Sequence, residues 1–359
     1  MIAQCIILMQ YYDKRISVVK AICIILMVVG HSGAPGVLNN ILYLFHMPCF
    51  FFISGFLLKD KYLDDMLHFF KRKVKSYWIP FVKWSLVFLL LHNVFYHIHF
   101  YRTEYGRTEY LDKLFHILTM TGSEQLLGGY WFLKELLYAS IISLLGLKLC
   151  HQLFHWKEIR NGIFLIAIFL ILSYILGIVP FKIPTVGHRT MLACAYFMVG
   201  YSFHKTVYRK YHNLWVGISA FIVLGIISLF FGSSMDVTGV KTIAYFSASL
   251  IGIFALLNIA GCISGVVQDA LNYVGQKTLY ILTFHFISFK LVSLLLVMVF
   301  DLPIERLQDF PIINTRNGSI DFVWMIYTTF GVVVPVVLWK LSLCWKGKNE
   351  IAEQYNKKK

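Results

Sequence analysis

The segment FHMPCFFFISGFLLKDK, residues 45–61, is an apolar run that begins beside a histidine and a proline and ends at two lysines. Together with the apolar residues before it, this run is long enough to cross a bilayer as a helix. The whole chain suits the same environment, because 58% of its 359 residues are hydrophobic, only 14% are charged and the mean hydropathy is +0.68. A water-soluble domain has about a quarter charged residues. The composition therefore predicts an integral membrane protein.

Ten apolar stretches of suitable length follow one another along the chain, without a repeat or a linker between them. They predict an all-α integral membrane protein, a bundle of about ten transmembrane helices in a single domain that covers residues 1–359. The predicted spans are 16–34, 41–58, 78–98, 130–149, 162–180, 190–204, 213–231, 241–261, 278–300 and 322–345.

The distribution of positive charge predicts the orientation of these spans. With the N-terminus in the cytoplasm, 20 of the 33 lysines and arginines fall on the cytoplasmic side and 8 on the outer side. Cytoplasmic loops are the ones enriched in these residues. We therefore predict a multi-pass protein of the cytoplasmic (inner) membrane with both termini in the cytoplasm. The net charge of +15 comes without a nucleic-acid-binding motif, and the seven cysteines without a CxxC, so we expect neither a nucleic-acid partner nor a metal site.

Ionisable side chains inside spans are costly and usually face a cavity, so they are the first candidates for chemistry. Lys20 and His31 share the first span, in SVVKAICIILMVVGHS, residues 17–32. Eleven residues are about 20° more than three helical turns and about 16 Å of rise, so both side chains lie on one stripe. Either this stripe is catalytic, or Lys20 snorkels to the surface and His31 ends the span in the headgroup region.

Two further histidines are candidates. His46 begins the core of the second span, and because the first two spans are antiparallel it should lie at the depth of His31. An imidazole titrates near neutral pH and is a suitable general base for a hydroxyl group. Otherwise His46 is an interfacial anchor beside Pro48. His285, in TLYILTFHF, residues 278–286, lies well inside the ninth span, where it supports the site or bonds a neighbouring helix.

Glu135 is the only acidic residue that we place in a span, in GGYWFLKELLYAS, residues 128–140. Trp131 precedes it by four residues and therefore lies on the same helical face. A buried carboxylate needs a partner. Glu135 either orients an imidazole or a substrate hydroxyl, or forms a structural ion pair.

A basic loop, residues 71–75, separates the second and third spans. Arg72, Lys73 and Lys75 predict a phosphate-binding site, since arginine can hold a phosphate with two hydrogen bonds and lysine adds a point charge. The alternative is that these charges only set the topology and bind anionic lipid.

These segments, in their order and spacing, resemble the integral-membrane acyltransferase-3 family, and within it the fucose 4-O-acetylase-like branch. The resemblance covers essentially the whole chain. Its carriers are SVVKAICIILMVVGHS, FHMPCFFFISGF, RKVKSYWIPF, YWFLKELL, YFMVGYSF and TLYILTFHF.

The resemblance implies about ten helices, acetyl-CoA or another acyl-CoA as donor substrate, no bound cofactor, and a hydroxyl acceptor on a carbohydrate or lipid-linked glycan. It implies that Lys20 and His31 are the basic residue and the catalytic histidine of the first helix. Arg72 and Lys75 fall on a loop motif of two arginines separated by two residues. This chain departs from the family in having Lys20 where arginine is frequent and Lys75 in place of the second loop arginine.

Our hypothesis is a membrane-bound O-acyltransferase that moves an acetyl group from acetyl-CoA to a hydroxyl of an exopolysaccharide, O-antigen or similar glycan. His31 deprotonates the hydroxyl or carries the acyl group itself, and Lys20 or His46 stabilises the oxyanion. Glu135 completes the catalytic set, while Trp131 and His285 support the acceptor. A transporter or flippase for a lipid-linked glycan, with the histidines and Glu135 as a proton relay, is the main alternative. A non-catalytic membrane partner is a third.

Overall fold

The computed structural model describes residues 14–179, 185–206, 213–313 and 322–356. Within these ranges the chain is helical and contains no strand. The helices are α1 Lys14–His31, α2 Gly36–Phe56, α3 Lys61–Asp64, α4 Met66–Lys73, α5 Ile79–Leu90, α6 His92–His97, α7 Arg107–Leu118, α8 Trp131–Phe154, α9 Glu158–Ile178, α10 His188–Thr206, α11 Leu214–Phe230, α12 Lys241–Cys262, α13 Gly265–Gly275, α14 Thr278–Val299 and α15 Val323–Asn356. Short 3-10 helices cover Gln125–Tyr130 and Ile304–Gln308.

A helix lies in each of the ten predicted spans, and six helical segments of the described chain are long and apolar enough to cross a membrane. They are Gly36–Phe56, Gln125–Phe154, Glu158–Ile178, Lys241–Cys262, Thr278–Val299 and Val323–Ser342. These segments support a multi-pass membrane protein. That α1, α5, α10 and α11 also cross, that both termini are cytoplasmic, and that residues 1–359 form one domain stay predictions. The predicted end of the fifth span, residue 180, lies outside the described residues.

The third predicted span, 78–98, is not one continuous helix. A π-helical segment, Val74–Trp78, connects α4 to α5, and a break at Leu91 separates α5 from α6. Pro80 in the first turn of α5 has no N–H to donate to the preceding turn, which favours an irregular entry. Single π turns inside helices are frequent at functional sites.

The helix α2 lies at the centre of the bundle, in contact with α1, α8, α10, α11 and α12. Its closest approach is to α10, through two glycines. A Cβ atom on Gly55 would lie 1.8 Å from the carbonyl oxygen of Phe197, and one on Gly200 would lie 1.9 Å from that of Phe52. Small residues allow membrane helices to pack backbone against backbone. This crossing fixes α10 against the helix that carries His46.

Pro48 lies inside α2 and leaves the carbonyl of Leu44 without its intrahelical donor. A side chain of α12 replaces that donor: the Ser249 hydroxyl, 2.5 Å from the Leu44 oxygen and 2.7 Å from the Tyr245 oxygen of its own helix, shares its proton between the two. The hydroxyl of Tyr196 on α10 in turn donates to Ser249 Oγ at 2.8 Å. Three helices are therefore joined at the turn of α2 that the proline opens.

The neighbouring carbonyls of the same turn also accept hydrogen bonds from side chains. Tyr245 of α12 donates its hydroxyl to the carbonyl of Tyr43 at 2.9 Å. His46 Nδ1 lies 2.5 Å from the carbonyl oxygen of Leu42, so this nitrogen is the protonated one and Nε2 carries the lone pair. The irregular turn around Pro48 thereby fixes the orientation of the His46 imidazole.

We expect Ser249→Ala to lower the free energy of unfolding by about 1–3 kcal/mol, because it leaves the buried Leu44 carbonyl unsatisfied. Unfolding in detergent, compared with the wild type, measures the loss. Ser288→Ala is the matched control, since the Ser288 hydroxyl is also buried but donates only to Phe284 of its own helix at 2.8 Å. Equal effects of the two substitutions would contradict the role given to Ser249.

Candidate functional site

Two cavities lie next to each other between the helices. The basic cavity has a volume of about 320 Å³, and the charged side chains in its wall are Lys20, Lys59, Arg72 and Lys73. The histidine cavity has a volume of about 350 Å³, and its wall includes His31, Tyr43, His46, Trp131, Arg189, Ser234, Asp236 and Tyr245.

The predicted stripe of α1 faces these cavities. Lys20 and Ile24 line the basic cavity, and Met27 and His31 line the histidine cavity. Spacings of four, three and four residues keep all of them on one helical face. The stripe on which the sequence hypothesis depends is therefore directed into the protein.

The basic cavity has the character of a site for an amphipathic anion. None of the described residues that line it is acidic, and many of them are apolar. Arg72 donates to the hydroxyl of Tyr62, and Lys73 Nζ donates to Ser54 Oγ at 3.3 Å. Arginine and lysine side chains held in this way form charge-assisted hydrogen bonds to phosphate. A ligand with phosphates at one end and a long, less polar arm matches this wall.

The cations of the basic cavity differ in part from the predicted set. Arg72 and Lys73 line it, while Lys75 is exposed and lies outside its lining. Lys59, at the end of the second predicted span, lines the cavity in its place. Ser76 and Tyr77 of the π-helical segment complete this side of the wall, so the irregular helix directs the loop towards the cavity.

His31 is the last residue of α1, and the backbone explains why the helix ends there. Gly33 follows with φ of +84°, a left-handed conformation that favours glycine, and a Cβ atom there would lie 2.3 Å from Ile312 Cδ1. The His31 ring stacks on that of His285 at 5.7 Å between centroids and contacts Phe286 at 5.1 Å. The structure thus brings the first and ninth predicted spans together at these two histidines.

His285 is fully buried behind His31. Its Nδ1 lies 3.1 Å from the carbonyl oxygen of Ile281 and 3.0 Å from that of Leu282, so this nitrogen carries the proton. Its Nε2 has no hydrogen-bond partner among the described residues. A buried acceptor without a partner is costly. It is suited to accept an N–H from a neighbouring group such as His31 and so to orient that ring.

Arg189 and Asp236 form an ion pair in the wall of the histidine cavity. The guanidinium carbon of Arg189 lies 4.6 Å from the centroid of the Trp131 ring, a cation–π contact. An aromatic face, a cation and a carboxylate are thereby placed around one opening. Such a group provides hydrophobic contact, donors and acceptors to a polyhydroxylated ligand.

Glu135 is buried and lies outside the lining of both cavities. Its Oε2 accepts a hydrogen bond from Thr190 Oγ1 at 2.7 Å, and its Oε1 lies 3.3 Å from Lys134 Nζ. Because Thr190 follows Arg189 in the first turn of α10, its hydrogen bond to Glu135 holds this turn against α8. The geometry supports a positioning role for Glu135, and its catalytic role stays a prediction.

Two other buried ionisable residues are structural. His92 Nδ1 lies 2.7 Å from Glu124 Oε2, and its ring stacks on Tyr105 at 3.3 Å between centroids. Burial and the Glu124 carboxylate raise the pKa of Tyr105 to about 12. Lys290 Nζ donates to two backbone carbonyls of the segment before Ile313, at 2.6 and 2.7 Å. Neither His92 nor Lys290 lines the two cavities. In the described ranges, no group of three or more His, Cys, Asp and Glu residues is arranged to hold a metal.

Sequence reasoning missed Arg189, Asp236 and Lys59 as site residues. Arg189 counts as an outer-loop charge in the orientation argument, although an arginine at the outer start of a span runs against the positive-inside rule. This exception to the rule is the sequence signal that could have identified Arg189 as a site residue. Asp236 has no such signal, because its ion pair joins segments far apart in sequence.

The fold defines a multi-pass helical membrane protein with two adjoining cavities between its helices, one lined by cations and one by histidines. The model of the acyltransferase domain matches residues 13–341, so the chain belongs to the acyltransferase-3 family. No curated protein and no solved structure matched the chain. The family resemblance is confirmed, and membership of the fucose 4-O-acetylase-like branch stays a prediction.

Proposed function

We propose that this protein is an O-acetyltransferase of the cytoplasmic membrane that moves an acetyl group from acetyl-CoA to a hydroxyl of a cell-envelope carbohydrate. The family supports a membrane acyltransferase. The observation that carries the finer proposal is the position of a cation-lined cavity directly beside a histidine-lined one. The first matches a phosphate-bearing donor, and the second matches a hydroxyl acceptor that needs a base.

The donor occupies the basic cavity in this proposal. Lys59, Arg72 and Lys73 hold the phosphates of acetyl-CoA, and the pantetheine arm runs along apolar side chains of α2 and α8. Lys20, on the stripe of α1, lies on the way from these cations to His31. The thioester is thereby directed towards the histidine cavity.

The acceptor occupies the histidine cavity. The face of Trp131 contacts a sugar ring, while Arg189 and Asp236 bond its hydroxyls. A sugar hydroxyl that approaches His31 then lies at the junction of the two cavities.

The transfer uses few groups. His31 takes the proton from the acceptor hydroxyl, whose oxygen attacks the thioester carbonyl carbon. The carbon–sulfur bond breaks, and the proton passes to the sulfur, so the products are an ester and the free thiol of CoA. The developing oxyanion requires a donor or a cation. Lys20 in the wall of the basic cavity and Arg189 in the wall of the histidine cavity are the cations at the two ends of the path that leads from donor to acceptor. His285 Nε2 orients His31, and a positioned base contributes about 10²–10⁴-fold to such a reaction.

We expect Arg189→Ala to raise the KM for the acceptor about tenfold or more, since a hydrogen bond to a charged group contributes about 1.5–3 kcal/mol. The Kd for CoA should not change, because Arg189 lies outside the basic cavity. Steady-state kinetics with varied acceptor and varied donor separate the two. Arg102→Ala is the matched control, as Arg102 is exposed and pairs with Asp309 away from both cavities. A rise in the donor KM alone would contradict the assignment of Arg189.

The direct test of the function is acetylation by purified protein in lipid nanodiscs. Radiolabelled acetyl-CoA and extracted envelope glycans are the substrates, and mass spectrometry detects the gain of one acetyl group. A protein that carries glycans across the membrane without label from acetyl-CoA would instead support the transporter alternative.

A further inference from the structure

The basic cavity and the histidine cavity are separated by a single apolar layer. Along α1 the lining changes from Ile24 to Met27, and along α2 from Phe50 to Met47. The two residues of each pair are three positions apart, which corresponds to about 4.5 Å of helical rise. We call these four side chains, together with Leu282 of α14, the septum. The separation is thus less than one helical turn thick.

Leu282 is the centre of the septum. In the described part of the chain it is the one residue that lines both cavities. It is otherwise buried, and it precedes His285 by less than one turn of α14. Its side chain therefore lies between the cations that suit a donor and the imidazole that suits an acceptor.

Gly129 leaves room for this side chain. A Cβ atom on Gly129 would lie 2.9 Å from Leu282 Cδ1, a distance that requires one of them to shift. Gly129 itself lines the histidine cavity. The absent side chain at position 129 therefore allows Leu282 Cδ1 to pack directly against the glycine backbone.

We propose that Leu282 selects the acyl group of the donor. The thioester reaches the histidine cavity by displacing the Leu282 side chain, and the gap that opens sets the size of the acyl group that passes. This inference rests on the proposed function and concerns the same transfer, in which the acyl carbon exchanges its bond to sulfur for a bond to the acceptor oxygen. A short acyl group, such as acetyl, is the one that fits a gap of one leucine side chain.

The size of residue 282 should then change the acyl preference. Leu282→Ala is expected to raise kcat/KM for hexanoyl-CoA relative to acetyl-CoA by about tenfold or more, since a few methylenes in an apolar pocket are each worth about 1–3 kcal/mol. Leu282→Phe is expected to lower transfer at least tenfold and to leave the Kd for CoA unchanged, because the phosphate-binding cations are not altered.

Matched controls separate selection from general damage to the core. Leu279→Ala makes the same change one turn earlier on α14, at a side chain that lines the basic cavity alone. Gly129→Ala should slow transfer by restricting Leu282, whereas Gly128→Ala should not, because its Cβ would meet Phe286 at 3.4 Å, an ordinary contact. Size-exclusion chromatography in detergent verifies that each variant is folded.

The outcomes are distinct. A shift towards hexanoyl-CoA in Leu282→Ala but not in Leu279→Ala supports the inference; if Leu282→Phe does not fold, this pair of alanine variants decides. Equal acyl preference in both alanine variants, with active wild-type protein, overturns the role of Leu282 and leaves the proposed function intact. Absence of transfer from any acyl-CoA by the wild type overturns both.

Discussion

His31→Ala is expected to lower kcat/KM for acetyl transfer by about 10²–10⁴-fold, the usual contribution of a positioned base. The reason is geometric. His31 lines the histidine cavity at the end of the α1 stripe, beside the ring of His285, whose Nε2 has no hydrogen-bond partner in the described part of the chain. Because His31 lies outside the basic cavity, the Kd for CoA should stay the same. Transfer of radiolabel to glycan and calorimetric titration with CoA measure the two quantities.

His97→Ala is the control for this prediction, since the His97 side chain on α6 is 68% exposed and lines neither cavity. It should retain wild-type kinetics. Transfer by His31→Ala at the wild-type rate would contradict the mechanism. Loss of CoA binding together with activity would indicate damage to the fold and not the loss of a base.

Replacing Arg72 and Lys73 together by alanine is expected to weaken acyl-CoA binding by about 100-fold or more at low salt, since each charge-assisted hydrogen bond contributes about 1.5–3 kcal/mol. The effect should shrink as salt increases, because Arg72 is exposed and salt screens exposed charges. Both side chains line the basic cavity. The Kd for CoA at several salt concentrations provides the measurement.

Lys75→Ala is the matched control for this double variant. Lys75 belongs to the same basic loop and is exposed like Arg72, but it lies outside the cavity lining. It should change the Kd for CoA less than twofold, within the range of a single exposed charge. If Lys75→Ala weakened binding as strongly as the double variant, the donor site would lie on the loop surface, and the basic cavity would not be the docking site.

The helices and the central residues of the site could be predicted from the sequence for the same reason. Apolar periodicity is local, so it predicts a helix at each of the ten stretches and places Lys20 and His31 on one face. The nearness of His46 to His31 follows from a short connection between antiparallel helices. The break of the third span at Leu91 was missed although His92 and Asn93 follow it directly, because apolar residues resume at positions 94–96.

The contacts that complete the site join distant parts of the chain, and local patterns do not contain them. Asp236 pairs with Arg189, and Ser249 completes the turn opened by Pro48, across separations that only the packed bundle defines. For Glu135 the sequence predicted the need for a partner but not its identity. In the structure its partners are Lys134 of the same helix and Thr190 of α10. Tertiary packing, and not propensity, decides each of these contacts.

The central claim is that a donor bound at Arg72 and Lys73 directs its acyl end past Leu282 towards His31. A cryo-electron microscopy structure of the wild-type protein with a non-hydrolysable thioether analogue of acetyl-CoA tests it most directly. We predict density for the phosphates at Arg72 and Lys73 and for the thioether end at Leu282, on the side of Lys20. Density for the analogue outside the basic cavity, or a His31 side chain directed into lipid, would contradict the account.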